Sequence, residues 1–321
     1  MIEKQKNGLL WTYVSYFQKH WQQDYQTESY FVIILWCALG IAINYGINLE
    51  DGIIDSYQGK EIRWLWYFLL YAAAYYPTSF FLLRAKKQLH LMKKTNFWLW
   101  SGFGLSFLAL DRSFYYHSLL VEKIADLQVY YFLVKVTGNL YSIFTVYIPL
   151  FICYKLFYRY KKQDGFFGLK KQDVHWKPYW IMLFMMTPLI FVASFETDFS
   201  NYYPRYKDYD AHLYWNIPEW CNVILYELAY GWDFVTVELL FRGFFVIALG
   251  RILGNSSILP MAVMYCFLHF GKPIGETISS LFGGYILGVV AYYTRNIWGG
   301  IFVHLGIAWL MELAAFYQKY R

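Results

Sequence analysis

Long, nearly uninterrupted apolar runs constrain this chain more than any other feature. Segments 31–42 and 181–193 are almost continuously apolar, with no alternation of apolar and polar positions. Lipid leaves two ways to satisfy a spanning backbone, the α-helix and the closed β-barrel. Barrel strands alternate over about 10 residues, so these runs read as helices. Stretches of roughly 17–25 apolar residues, enough to cross a hydrocarbon core of about 30 Å, recur near 31–48, 64–83, 97–117, 128–157, 178–195, 221–252, 256–270, 274–294 and 297–316. Composition agrees, since with 58% hydrophobic and 16% charged residues a soluble domain of 321 residues would expose large apolar patches. An aromatic share of 23% suits rings at both membrane interfaces. The expected fold is all-α, a polytopic transmembrane helical bundle of about eight to nine spans.

Charge sets the expected orientation. Arg84, Lys86, Lys87, Lys93 and Lys94 follow the second span, and Arg159, Lys161, Lys162, Lys170, Lys171 and Lys177 follow the fourth. Short positive loops stay cytoplasmic. The intervening connections are acidic, with Glu50, Asp51, Asp55 and Glu61 in one and Glu196, Asp198, Asp208, Asp210 and Glu219 in another. The expectation is a multi-pass protein of a bacterial inner membrane with a cytoplasmic N-terminus. The net charge of +6 is then an orientation signal in two loops and no footprint for nucleic acid.

Residues 1–30 lack the short apolar core and cleavage site of a signal peptide and read as a cytoplasmic amphipathic segment. Residues 31–195 read as transmembrane scaffold and 221–316 as the site region. Cys37, Cys153, Cys221 and Cys266 lie in or beside apolar stretches without metal-like spacing, as packing residues do.

Ionisable residues interrupt three of the C-terminal apolar segments. Glu238 with Arg242, His269, and His304 each stand where a lipid-facing helix would carry no charge, and such residues mark sites because they are costly in a bilayer. Segment 221–253 would measure about 50 Å as one helix. A break is therefore expected at Gly231-Trp232-Asp233, with Asp233 capping the new start. Glu238 and Arg242, at i,i+4, share a helix face and neutralise each other. His269 ends its span before the helix-stopping Phe270-Gly271-Lys272-Pro273, and Glu276 follows on the next span near the same membrane face. His304 enters behind Trp298-Gly299-Gly300, with Glu312 about 12 Å further along the same helix. Lys135 reads as snorkelling or acid-paired, and Glu227 and Asp233 as interfacial or capping residues.

At these residues the chain resembles the CPBP family, the CAAX prenyl endopeptidase and bacteriocin-processing membrane proteins that include glutamic intramembrane proteases. The resemblance covers roughly 226–316. Family members show a pair of adjacent glutamates with an arginine one turn on, a phenylalanine before a histidine, and a histidine before an asparagine. Here these read Val237-Glu238 with Arg242, Tyr265 with His269, and His304 with Ala308. The run Phe282-Gly283-Gly284-Tyr285-Ile286-Leu287-Gly288 and the Gly299-Gly300 pair are also similar. Glu238, Arg242, His269 and His304 carry over; the family's water-activating first glutamate is Val237 here, and its asparagine is Ala308.

The resemblance implies an endopeptidase that cleaves a membrane-bound or lipidated peptide among membrane lipids. Peptide hydrolysis needs a base for water and a donor or cation for the developing oxyanion. Glu238 is the first candidate base. If Arg242 fully engages it, the role falls to Glu276 or Glu312, with His269 and His304 as oxyanion donors. No cofactor enters that scheme. The competing chemistry is a divalent metal such as zinc on His269, His304, Glu238 and Glu276, although the His-Glu-x-x-His helix is missing. Blander readings stand beside these: Glu238 with Arg242 as a structural ion pair, His269 as a helix cap, and Glu276 as a first-turn acid. Two other functions stay open, a catalytically altered relative that binds a peptide or lipid without cleavage, and an ion-coupled carrier, which the missing inverted repeat argues against.

Overall fold

The structure is a computed structural model that describes residues 9–170 and 174–319. Residues 1–8 of the expected amphipathic segment, and Lys171 of the second basic loop, lie outside the described residues. In chain order the principal helices are α1 (Leu9–Asp24), α2 (Thr27–Ile47), α3 (Ile62–Ala85), α4 (Thr95–Ser113), α5 (Tyr116–Ile124), α6 (Leu127–Leu140), α7 (Ile148–Leu156), α8 (Lys177–Ala193), α9 (Glu219–Glu238), α10 (Ile258–Leu268), α11 (Ile274–Thr294) and α12 (Trp298–Lys319). Short helical turns link several of them, and no β-strand occurs among the described residues beyond one bridge between Phe166 and Leu169. The all-α membrane class is as expected.

Among the described residues four segments are long and apolar enough to cross a membrane: Thr27–Ile47, Leu127–Leu156, Ile274–Thr294 and Trp298–Lys319. The second joins α6 to α7 through a π-turn at Ile143–Tyr147. The other expected stretches coincide with α3, α4, α8, α9 and α10, which are shorter or more polar.

The core forms where α3 meets α4, α10 and the segment after α9. Tyr67, Tyr71, Ala74, Tyr75, Thr78 and Leu82 fall on one face of α3 at helical spacing, and all are buried. Gly104 on α4 admits two phenylalanines there; a Cβ would stand 2.7 Å from the Phe244 ring and 2.6 Å from the Phe245 ring. Pro77 lacks the N–H that would bond the Ala73 carbonyl. The indole N–H of Trp36 on α2 donates to that oxygen at 2.9 Å instead, as a lipid setting without water demands.

The break expected at Gly231 does not occur. Helix α9 runs through Gly231 and continues as a π-helix over Leu239–Ala248, where the Leu249 N–H bonds the Phe244 carbonyl, five residues back, at 3.0 Å. All ten residues of this segment are buried, so the extra length is housed in protein and needs no break in lipid. Gly231 serves close packing, because a Cβ there would sit 3.2 Å from Leu305 on α12.

Candidate functional site

Glu238 ends α9 and is 0% exposed. Its Oε1 lies 2.9 Å from Nη1 of Arg242, one turn on, and 3.0 Å from Nδ1 of His304 on α12. The Arg242 guanidinium also lies over the Tyr265 ring of α10, 4.2 Å from its centroid. The Tyr265 hydroxyl is 2.9 Å from the other nitrogen of His304, Nε2. A carboxylate can only accept, so Nδ1–H donates to Glu238, leaving Nε2 to accept from Tyr265. Three helices are tied through one imidazole.

The remaining oxygen of Glu238, Oε2, has no hydrogen-bond partner. It faces Gly300, where a Cβ would come within 2.5 Å. Gly299 is packed against the Tyr179 ring of α8. The glycine pair is therefore a close-approach surface that lets a carboxylate and a ring reach the α12 backbone.

His269 follows α10 where the chain turns. Its Nδ1–H donates to the Tyr265 carbonyl at 2.9 Å, so Nε2 keeps its lone pair, 3.9 Å from Glu276 Oε1. Glu276, in the first turn of α11, is itself held by Lys272 Nζ at 2.6 Å and by the Tyr203 hydroxyl at 2.9 Å. Burial opposes the charge on Lys272, but Glu276 outweighs it and keeps this ammonium above the ordinary lysine range. Glu312 stands apart from this group. It accepts the backbone N–H of Arg205 at 2.7 Å and of Tyr206 at 3.3 Å, fastening the connection between α8 and α9 across one end of the bundle. Ala308 is packed among the aromatic residues Tyr226, Tyr230 and Phe234.

A cavity of about 430 Å³ opens beside these groups, and Val237, His269, Lys272 and His304 line it. Glu238 does not; the 100° step between successive helical residues turns it to the protein side. Asp233 also lines the cavity. It sits in mid-helix, so the capping role expected for it gives way to a place on the cavity wall. Its position four residues before Val237 was the available signal. Lys135 lines the same cavity, and among the described residues no acid pairs with it.

The expected metal set does not converge. Among the described residues the one trio of potential ligand atoms within 4.8 Å of one another is Glu50, Asp51 and Asp55, where Arg112 and Arg63 pair with Glu50 and Asp55 at 2.8 and 2.7 Å. His304 has both ring nitrogens engaged and Glu238 has one oxygen doubly engaged. A divalent ion on these residues would have to displace the hydrogen bonds that His304 makes to Tyr265 and to Oε1 of Glu238.

Comparison with known families matches residues 219–310 to the family described as type II CAAX prenyl endopeptidase Rce1-like. The match spans α9 through most of α12 and so contains Val237, Glu238, Arg242, His269, Glu276 and His304. Neither the curated proteins nor the solved structures give a significant match.

Proposed function

We propose, from the Rce1-like assignment of residues 219–310, that this membrane protein is an endopeptidase acting on a membrane-associated or lipidated peptide in the cavity beside α9, α10 and α12. One observation carries the reading. Two imidazoles, His269 just after α10 and His304 on α12, line a single cavity of a membrane bundle, and a buried Glu238–Arg242 pair stands directly behind His304, where ionisable groups without a use are costly.

The hydrogen bonds favour particular roles. His269 offers a lone pair at Nε2, suited to orienting a water molecule. Glu238 acts through His304 and Tyr265 as a positioning residue, being sealed from the cavity. Lys272 lines the cavity and contributes positive potential where a carbonyl oxygen gains charge. The donor set supports hydrolysis without a metal. The basic loops at 84–94 and 159–177 support a cytoplasmic N-terminus in a bacterial inner membrane.

A second reading, binding without cleavage, is favoured by one feature: apolar Val237 faces the cavity where the family carries its base. The test is cleavage in liposomes of a farnesylated CAAX peptide and a library of membrane-anchored peptides, with metal content assayed in parallel. Glu238→Gln, His269→Ala and His304→Ala are each expected to lower kcat/KM by about 100-fold or more. Folded wild-type protein that binds these peptides and cleaves none would replace the first reading with the second.

A further inference from the structure

The carboxylates singled out for base chemistry are engaged elsewhere. Glu238 is fully buried against Arg242 and His304, Glu276 is held by Lys272 and Tyr203, and Glu312 holds two backbone N–H groups. Asp111, a further cavity-lining acid from α4, accepts a hydrogen bond from the Thr145 hydroxyl.

Asp233 differs from all of these. Among the described residues no hydrogen bond or ion pair engages its carboxylate, and it lines the cavity that Val237, His269 and His304 also line. It precedes Val237 by four residues, so the two share one face of α9, about 6 Å apart along the axis. The ring of the next residue, Phe234, packs against the His304 imidazole with centroids 4.6 Å apart. The helix that lacks a glutamate at its family position thus presents an unengaged carboxylate to the same cavity one turn away.

We infer that Asp233 is the general base of this site, replacing the glutamate whose position Val237 fills. The inference rests on the endopeptidase reading. Water held between Asp233 and Nε2 of His269 adds its oxygen to the scissile carbonyl carbon, and its proton passes to the Asp233 carboxylate. The C–N bond then breaks, and that proton leaves with the departing amine, so the carboxylate is regenerated. The reacting carbonyl accordingly lies closer to the Asp233 turn than to Val237.

The experiment measures kcat and KM in liposomes for the wild type, Asp233→Asn, Asp233→Glu, Val237→Glu and Asp233→Asn/Val237→Glu. The probes are the farnesylated CAAX peptide and the anchored-peptide library, together with binding of a non-hydrolysable N-methyl-amide analogue. Asp233→Asn is expected to lose about 100-fold or more in kcat while KM and analogue affinity stay within about threefold, the range expected when an interaction made only in the transition state is lost. Adding Val237→Glu is expected to restore at least about tenfold of the lost rate, a base being returned to the same face. Where Asp233→Asn does not fold, Asp233→Glu, keeping a carboxylate, is read against Asp233→Ser. Cleavage by Asp233→Asn within about threefold of wild type overturns the inference and leaves the endopeptidase reading standing. Cleavage by Val237→Glu from a wild type that binds the analogue but cleaves nothing overturns both.

Discussion

Replacing Arg242 by Met would remove a guanidinium that is 1% exposed and strand a carboxylate that is 0% exposed. Breaking a buried pair from one side costs about 3–5 kcal/mol, because one charge is left uncompensated. The Nδ1–H of His304, 3.0 Å from the same oxygen, still donates to it and offsets part of this, which puts the electrostatic loss near the lower end. The stacking of Arg242 on Tyr265 adds about 0.5–2 kcal/mol, for a total of about 4 kcal/mol. Glu238→Gln strands the arginine instead and should cost about 3 kcal/mol or more. The double variant removes both charges and should lie within about 2 kcal/mol of wild type, so the pair is strongly non-additive. Reversible unfolding in mixed micelles, followed by the fluorescence of the 14 tryptophans, measures each corner of the cycle. Single variants that each cost under about 1 kcal/mol, or a double variant that is simply additive, would refute the claim that this pair is desolvated and mutually dependent.

Gly300→Ala should cost about 1–3 kcal/mol by overpacking, since its Cβ would stand 2.5 Å from Glu238 Oε2; the same unfolding assay reads it, and a neutral result would mean the carboxylate can move. Asp24 on α1 is buried and accepts Lys86 Nζ at 2.7 Å and the Ser256 hydroxyl at 3.0 Å, so Lys86→Ala should destabilise by about 3 kcal/mol and speed hydrogen exchange over Leu9–Asp24. Burial alone would raise the pKa of Asp164, but hydrogen bonds from Arg295, Arg251 and Tyr158 outweigh it and hold this carboxyl below the ordinary aspartate value of 3.8. A depressed folded pKa gives stability that is present above the unfolded value and lost as pH falls through the folded one. The stability gap between wild type and Asp164→Asn should therefore be constant above about pH 5 and close on acidification below about pH 4; a gap that persists at pH 2 would contradict the assignment.

Much of this arrangement was legible in the chain itself. The apolar stretches coincide with helices, and the Glu238–Arg242 spacing already implied a shared face. The failures have local physical causes. A glycine in a long apolar helix reads equally as a break or as a contact point, and only the approach of Leu305 shows that Gly231 is the latter. Asp233 reads as a cap when a break is assumed beside it, and as a cavity residue once the helix is continuous. The partners of Glu276 and Glu312, Tyr203 and the N–H groups of Arg205 and Tyr206, come from a connection far away in sequence, and no local pattern announces them.

The sequence alone determined the helical membrane class and the small set of ionisable residues that lipid would not tolerate idle. Both follow from properties carried by short stretches, apolar length and residue type, acting against a solvent that offers no hydrogen bonds. Which carboxylate faces the cavity was decided only by tertiary structure. Val237 and Glu238 are neighbours in the chain, yet a rotation of about 100° sets one against the cavity and buries the other against Arg242 and His304. That rotation is fixed by how α9 packs on α6 and α12, a relation between residues distant in the chain.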